Sequence, residues 1–144
     1  MSFTVEYNDD NLERLFSHPF ESVAPEMLNE AAPILVESTK QALRSVIRHS
    51  GESELVNSIK ATKPKKTKTD AYILNVTPKG YSKNTFTRGK RKYPVTNAAK
   101  AVWLEYGVAG RQAPRPWRDK ATSSKASEIE SVMQEKYNRI IGAE

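Results

Sequence analysis

The side chains of this sequence that could do chemistry are few and widely separated. His18 and His49 are the only histidines, and neither has a second histidine or a cysteine at i+3 or i+4, the spacing a metal site on a helix would need. Each sits beside a helix-ending signal, which points to a surface or capping role. Asp9 with Asp10, Glu52 with Glu54 and Glu128 with Glu130 are the close carboxylate pairs. Adjacent and i+2 residues do not share a helix face, so these pairs read as solvated charge rather than an acid–base dyad. The absence of cysteine removes thiolate catalysis, disulfides, zinc knuckles and iron–sulfur clusters together. Gly107-Val108-Ala109-Gly110 lacks the third glycine of a dinucleotide loop and the Lys-Ser/Thr of a phosphate loop, and reads as a turn. The expectation is a non-enzyme with no cofactor and no metal.

Charge offers more. Residues 1 to 58 carry 4 Lys/Arg against 10 Asp/Glu, residues 59 to 120 carry 16 against 3, and residues 121 to 144 carry 3 against 4, so a net +6 conceals local balances of −6, +13 and −1. Lys60, Lys63, Lys65, Lys66 and Lys68 fall in one basic loop, about 60 to 70, and Arg88, Lys90, Arg91 and Lys92 in a second, 88 to 92. Side by side, these loops would contact phosphates or an acidic partner, including the acidic segment of a neighbouring copy, and Tyr81, Phe86 or Tyr93 would stack on exposed bases. No recognition-helix pattern accompanies the charge, so any DNA contact would be non-specific. The competing account is solvated lysines and aromatics used for strand packing.

Trp103, Leu104, Tyr106 and Trp117 are either plain core or desolvated anchors of a subunit contact. Arg115, held between Pro114 and Pro116, is presented for a defined ion pair with Glu105 or with an acid of another chain.

The elements that must carry these residues follow from periodicity. Phe3, Val5 and Tyr7 alternate as a short strand; Asn8-Asp9-Asp10-Asn11 can cap one or two helical turns bearing Leu12, Leu15 and Phe16, which His18-Pro19 ends. Leu28, Ala31, Ala32, Leu35, Ala42, Leu43, Val46 and Ile47 form the stripe of an amphipathic helix. Pro33 inside that stripe means that the helix either kinks there or, the preferred reading, starts near residue 33, and Gly51 is its stop. Residues 52 to 60 read as a second, short helix and 60 to 70 as loop. Tyr72, Leu74 and Val76 mark a central strand, which Pro78-Lys79-Gly80 turns into an antiparallel hairpin with residues 81 to 87. Asn97 can cap a helix containing Ala98, Ala101, Val102 and Glu105, although residues 102 to 106 alone fit a strand equally well. Pro114 and Pro116 lead into a last helix whose apolar face, Ile129, Val132, Met133, Tyr137, Ile140 and Ile141, needs the first long helix or the sheet as cover. At 144 residues this makes one α+β domain, 1–144, with a small antiparallel sheet packed against a long N-terminal and a long C-terminal helix. With no basic-then-apolar leader and no run of 18 apolar residues, a soluble, unprocessed protein without a membrane partner is expected.

Trp103-Leu104-Glu105-Tyr106-Gly107, a short polar loop, Ala113, then Arg115-Pro116-Trp117 and Ala121 resembles the Glu-aromatic-Gly, loop, Ala-x-Pro-aromatic signature of a tail-component family, the gene-product-ten type, in the head-to-tail joining modules of lambda-like tailed phages and prophages. Gly51, Leu55, Ser58 and Ile59 are similar to that family's Gly-x-x-Leu-x-x-Ser-Ile step. Val108 stands where the family often has Thr or Ser, and Trp117 where it often has Phe. The resemblance spans roughly residues 25 to 141. It implies a non-enzymatic virion protein of the neck, made in the host cytoplasm and assembling as a homo-oligomeric ring, a hexamer. Its neighbours would be the head connector and adaptor on one side and the tail terminator or tail tube on the other. It further suggests roles: Gly107 for a tight exit, Pro116 to start the last helix, and Glu105 paired with Arg115 to lock the loop. The alternative is a basic DNA-binding accessory protein.

Overall fold

The computed structural model describes residues 2–5, 20–49 and 53–142. Tyr7, Asp9, Asp10, the capping run 8 to 11, Leu12, Leu15, Phe16, His18-Pro19, Gly51 and Glu52 lie outside the described residues. In chain order the elements are β1 (Ser2–Val5), α1 (Phe20–Val46), α2 (Ser53–Asn57), β2 (Ile59–Ala61), β3 (Lys65–Lys66), β4 (Tyr72–Pro78), β5 (Tyr81–Arg88), β6 (Arg91–Thr96), α3 (Asn97–Tyr106), α4 (Arg118–Ser123) and α5 (Ala126–Ile141). The molecule is α+β, with a small antiparallel sheet, a long N-terminal helix and a long C-terminal helix.

Helix α1 is longer than expected and passes through both Pro25 and Pro33. An interior proline removes one backbone bond and crowds the preceding turn, a cost of roughly 3 kcal/mol. It is tolerated because Pro33 is exposed, as is Asn29, the residue whose carbonyl loses its helical partner to Pro33. The opposite stripe, Ala24, Leu28, Ala31, Leu35, Ala42 and Leu43, is buried in the core. Burying a leucine contributes about 1.5–3 kcal/mol, so Leu28, Leu35 and Leu43 together outweigh the proline.

Strand β4 is central, as its apolar pattern predicts: β1 pairs it as Phe3↔Leu74, β2 as Ile59↔Pro78 and β3 as Lys66↔Tyr72, all antiparallel. Two corrections follow. The short helix ends at Asn57, and Ile59 and Lys60 belong to a strand. The segment 60 to 70 is not all loop, because β2 and β3 both lie on β4. Backbone pairing needs no apolar side chain, and lysines on an edge strand keep their ammonium groups in water while discouraging further pairing.

The hairpin is also misplaced by the sequence reading. Residues 81 to 88 do not return on β4; they pair with β6 in a separate two-stranded ribbon, Phe86↔Tyr93, Thr87↔Lys92 and Arg88↔Arg91. Gly80 (φ 76) only redirects the chain, with Lys79 N–H donating to the Ser58 carbonyl and Asn97 N–H to that of Gly80. The hairpin turn is Gly89-Lys90, with positive φ at Gly89 alone (64°), the Gly-first choice of a two-residue loop whose backbone sign matches the strand twist. Arg88, Arg91 and Lys92 are therefore strand residues, not loop.

Residues 97 to 106 are helical. Thr96, not Asn97, is the cap: its Oγ1 accepts from Ala99 N–H at 3.1 Å, while the buried Asn97 donates its amide to the Lys79 carbonyl at 2.8 Å. The last helix is two helices, α4 and α5. Helix α5 covers α1, with Ile129 fully buried and Met133 packed against the same core, and Ser38 of α1 donates to the Ala121 carbonyl at 2.6 Å. No helix among the described residues is long and apolar enough to cross a membrane.

Candidate functional site

Residues 107 to 117, between α3 and α4, form a loop clamped at both ends. Helix α3 ends at Tyr106, where Gly107 N–H donates to the Trp103 carbonyl at 2.8 Å. Gly107 has φ 76 and ψ 180, a combination essentially confined to glycine, and a Cβ there would lie 2.7 Å from the Gln112 carbonyl oxygen and 2.8 Å from Pro114 N. The tight exit assigned to Gly107 is thus visible as a steric requirement. Val108 and Gln112 bridge across the loop, and Arg115 N–H returns to the Leu104 carbonyl at 2.7 Å.

The two charges of the motif are near one another in sequence order but serve different helix ends. Glu105 Oε2 accepts from Trp117 N–H at 2.8 Å and Arg118 N–H at 3.2 Å, the open donors at the start of α4. Arg115 Nη1 donates to the carbonyl of Val46 at 2.9 Å, the last residue of α1. The expected Glu105–Arg115 ion pair does not form. A carboxylate at a helix N-terminus and a guanidinium at a C-terminus each meet the favourable end of a backbone dipole, and both also fill a vacant hydrogen-bond position. Pro116 does not start a helix either; it precedes Trp117, after which α4 begins at Arg118. A signal for this was present in the sequence: Trp117 at the cap position has no side-chain acceptor, so α4 had to borrow one from elsewhere in the chain.

The aromatics divide. Trp117 is core, 3% exposed, its indole N–H donating to the Ala101 carbonyl at 3.1 Å. Leu104 is buried beside it, whereas Trp103 is 40% and Tyr106 65% exposed, with Val102 open on the same helix. Arg118 lies 5.9 Å from the Tyr106 ring centroid and 5.9 Å from that of Trp117, bracing the exposed ring against the buried one. Two hollows flank this face. One, of about 320 Å³, is lined by His49, Asn84, Lys100 and Trp103; the other, an open groove of about 620 Å³, by Tyr106, Val108, Arg111 and Pro114.

The two basic segments differ in kind. Lys66 is engaged by Glu21 at 2.6 Å and Asp70 at 3.2 Å, and the hydrogen bond to the Glu21 carboxylate, then that to Asp70, holds its pKa well above the ordinary lysine value. Lys60, Lys63, Lys65 and Lys68 are exposed around it. Arg88, Lys90, Arg91 and Lys92 stand at the tip of the β5–β6 ribbon, and among the described residues no hydrogen bond or ion pair joins the two segments. Phe86 and Tyr93 stack on one another, ring centroids 5.4 Å apart and planes at 24°, with both side chains exposed. Among the described residues no group of three His, Asp or Glu is placed to hold a metal ion. No protein-family model, curated protein or solved structure matches the chain.

Proposed function

We propose that this chain is a structural, non-enzymatic protein of the neck of a tailed phage, a head-to-tail joining or tail-completion component that assembles as a ring between head connector and tail tube. One observation carries the reading: Val102, Trp103 and Tyr106 form an exposed apolar face on a helix whose far end is clamped by Gly107, Glu105 and Arg115. Large aromatics held in place before binding lose little conformational freedom on docking, which is how anchor residues of subunit contacts gain their effect. The hollows on either side would accept a neighbour's side chains. In this reading the copies form a homo-oligomer, a hexamer, through that face.

The test pairs assembly with location. Full-length protein is expected to form rings, seen by negative-stain microscopy or sedimentation alone or on addition of the connector, and to be found in purified tailed particles of the phage or prophage that encodes it. Trp103→Ala with Tyr106→Ala should abolish rings while leaving the fold intact by circular dichroism. A gene neighbourhood without connector or tail-tube genes, together with absence from particles, would overturn the proposal.

A further inference from the structure

The β5–β6 ribbon is the least explained part of the molecule. From Lys83 to Pro94 every side chain is exposed, on both faces; only Ser82 and Val95 at its base are buried. A two-stranded ribbon wet on both sides is marginally stable by itself. Its register also sets Arg88 directly opposite Arg91, with Lys90 in the turn and Lys92 beside them. Like charges in facing positions destabilise a strand pair. Among the described residues none of Lys83, Arg88, Lys90, Arg91 and Lys92 has an ion-pair partner. The stacked Phe86–Tyr93 pair, one step back from the tip on the same face as Arg88 and Arg91, is the device that keeps so loaded a ribbon in register.

We infer that this ribbon is a nucleic-acid-binding arm, whose tip cations Arg88, Lys90, Arg91 and Lys92 hold the backbone phosphates of duplex DNA without reading its sequence. Phosphates spaced along a backbone relieve the Arg88–Arg91 repulsion, and a two-stranded ribbon is narrow enough to lie against a DNA groove. The acidic face of α1 on a second copy fits less well, because its four carboxylates already have partners: Glu21 with Lys66, Glu26 and Glu30 with Lys136, and Glu37 with Arg44. The segment around β3 is a poorer candidate, since Lys66 is neutralised within the chain and β3 is fixed to β4. The inference does not depend on the neck reading.

The test is fluorescence anisotropy of the full chain with a short mixed-sequence DNA duplex over a range of salt. Four phosphate contacts at ~0.9 each give a log–log slope near −4, so affinity should fall on the order of 100-fold as salt rises fourfold. Arg88→Gln and Arg91→Gln should each flatten the slope by about one, and the quadruple Gln variant of Arg88, Lys90, Arg91 and Lys92 should abolish binding. The single variants keep the test open if the quadruple one misfolds. No binding at low salt, an unchanged slope in the single variants, or equally tight binding of polyglutamate, which would indicate an acidic protein partner, overturns the assignment. Ring formation is read separately through Trp103 and Tyr106, so either idea can fail alone.

Discussion

Replacing Glu105 with Ala discriminates sharply between two accounts of the motif, because they predict opposite signs. Considered only as part of α3, Glu105 is a negative charge in the last helical turn, where the dipole disfavours it, and alanine is the better helix former; the exchange should stabilise by a few tenths of a kcal/mol. The structure says otherwise, since Glu105 Oε2 is the acceptor for Trp117 N–H at 2.8 Å and Arg118 N–H at 3.2 Å. A hydrogen bond to a charged group contributes about 1.5–3 kcal/mol and loss of a helix cap costs about 0.5–2 kcal/mol. The second bond is long and the site half-buried, so water recovers part of the loss, leaving a net destabilisation of about 2–3 kcal/mol. Unfolding entropy of ~2.1 cal/mol/K per residue makes each kcal/mol worth about 3 °C here, so Tm should drop by roughly 6–10 °C. Urea and thermal unfolding followed by tryptophan fluorescence and by far-UV circular dichroism measure the two quantities. Glu105→Gln, which keeps an acceptor without the charge, should lose about half as much. A double-mutant cycle with Arg115→Ala should give a coupling below about 0.5 kcal/mol, because the two side chains serve different helix ends. A neutral or stabilising Glu105→Ala, or a coupling above about 1 kcal/mol, would refute this reasoning.

Gly107→Ala should destabilise by about 2–4 kcal/mol, because backbone strain adds to contacts under 3 Å with Gln112 and Pro114, whereas Gly110→Ala, with nothing within 4 Å, should cost only about 1 kcal/mol of strain; equal effects in chemical denaturation would contradict the clamp. Pro33→Ala should stabilise by about 1–3 kcal/mol by restoring a helical hydrogen bond at an exposed position, and a loss in Tm would show that α1 depends on the proline. Trp117→Ala should cost about 3–5 kcal/mol, against under about 1 kcal/mol for Trp103→Ala, which separates the core aromatic from the exposed one. Lys66 should give up its proton at higher pH than an ordinary lysine in an NMR titration of its side-chain resonances. Because its folded-state pKa is raised, its contribution to stability is complete across neutral pH and is lost only in strongly alkaline solution; titration of Lys66 at the ordinary lysine value would dismiss the Glu21 pairing.

The legible parts of the fold were those where one period dominates. The stripe from Leu28 to Leu43 and the face containing Ile129 and Met133 announce α1 and α5, and Leu74 with Val76 announces the central strand. Residues 102 to 106 were ambiguous because Val, Trp, Leu and Tyr satisfy both periods; the hydroxyl of Thr96, five positions before Ala101, selects the helix. Two glycine turns compete for the hairpin, at Gly80 and Gly89, and local chemistry favours neither; pairing with β6 is chosen by how the chain docks on Ser58 and Asn97. Strands β2 and β3 were hidden because their lysines advertise solvent while their backbones do the pairing. At the site, sequence order placed Glu105 and Arg115 in one motif, and opposite charges invite pairing. The vacancies at the start of α4 and the end of α1 are long-range facts, and they draw the two groups apart.

The way α5 closes over α1 has a consequence for synthesis in the cell. The apolar stripe of α1 is complete once residue 46 has been made, yet Trp117, Ala121 and Ile129, which share its core, come some 70 or more residues later. At translation rates of about 5–20 residues per second, the part of the stripe that these residues cover waits roughly 4 to 15 seconds. During that interval the emerging chain is an amphipathic helix with a short sheet and a charged ribbon, and its oily side is available to a ribosome-associated chaperone or to another nascent copy on the same message. Slow codons between the ribbon and α4 would lengthen the wait, so that the yield of folded protein becomes a matter of tempo as well as of sequence.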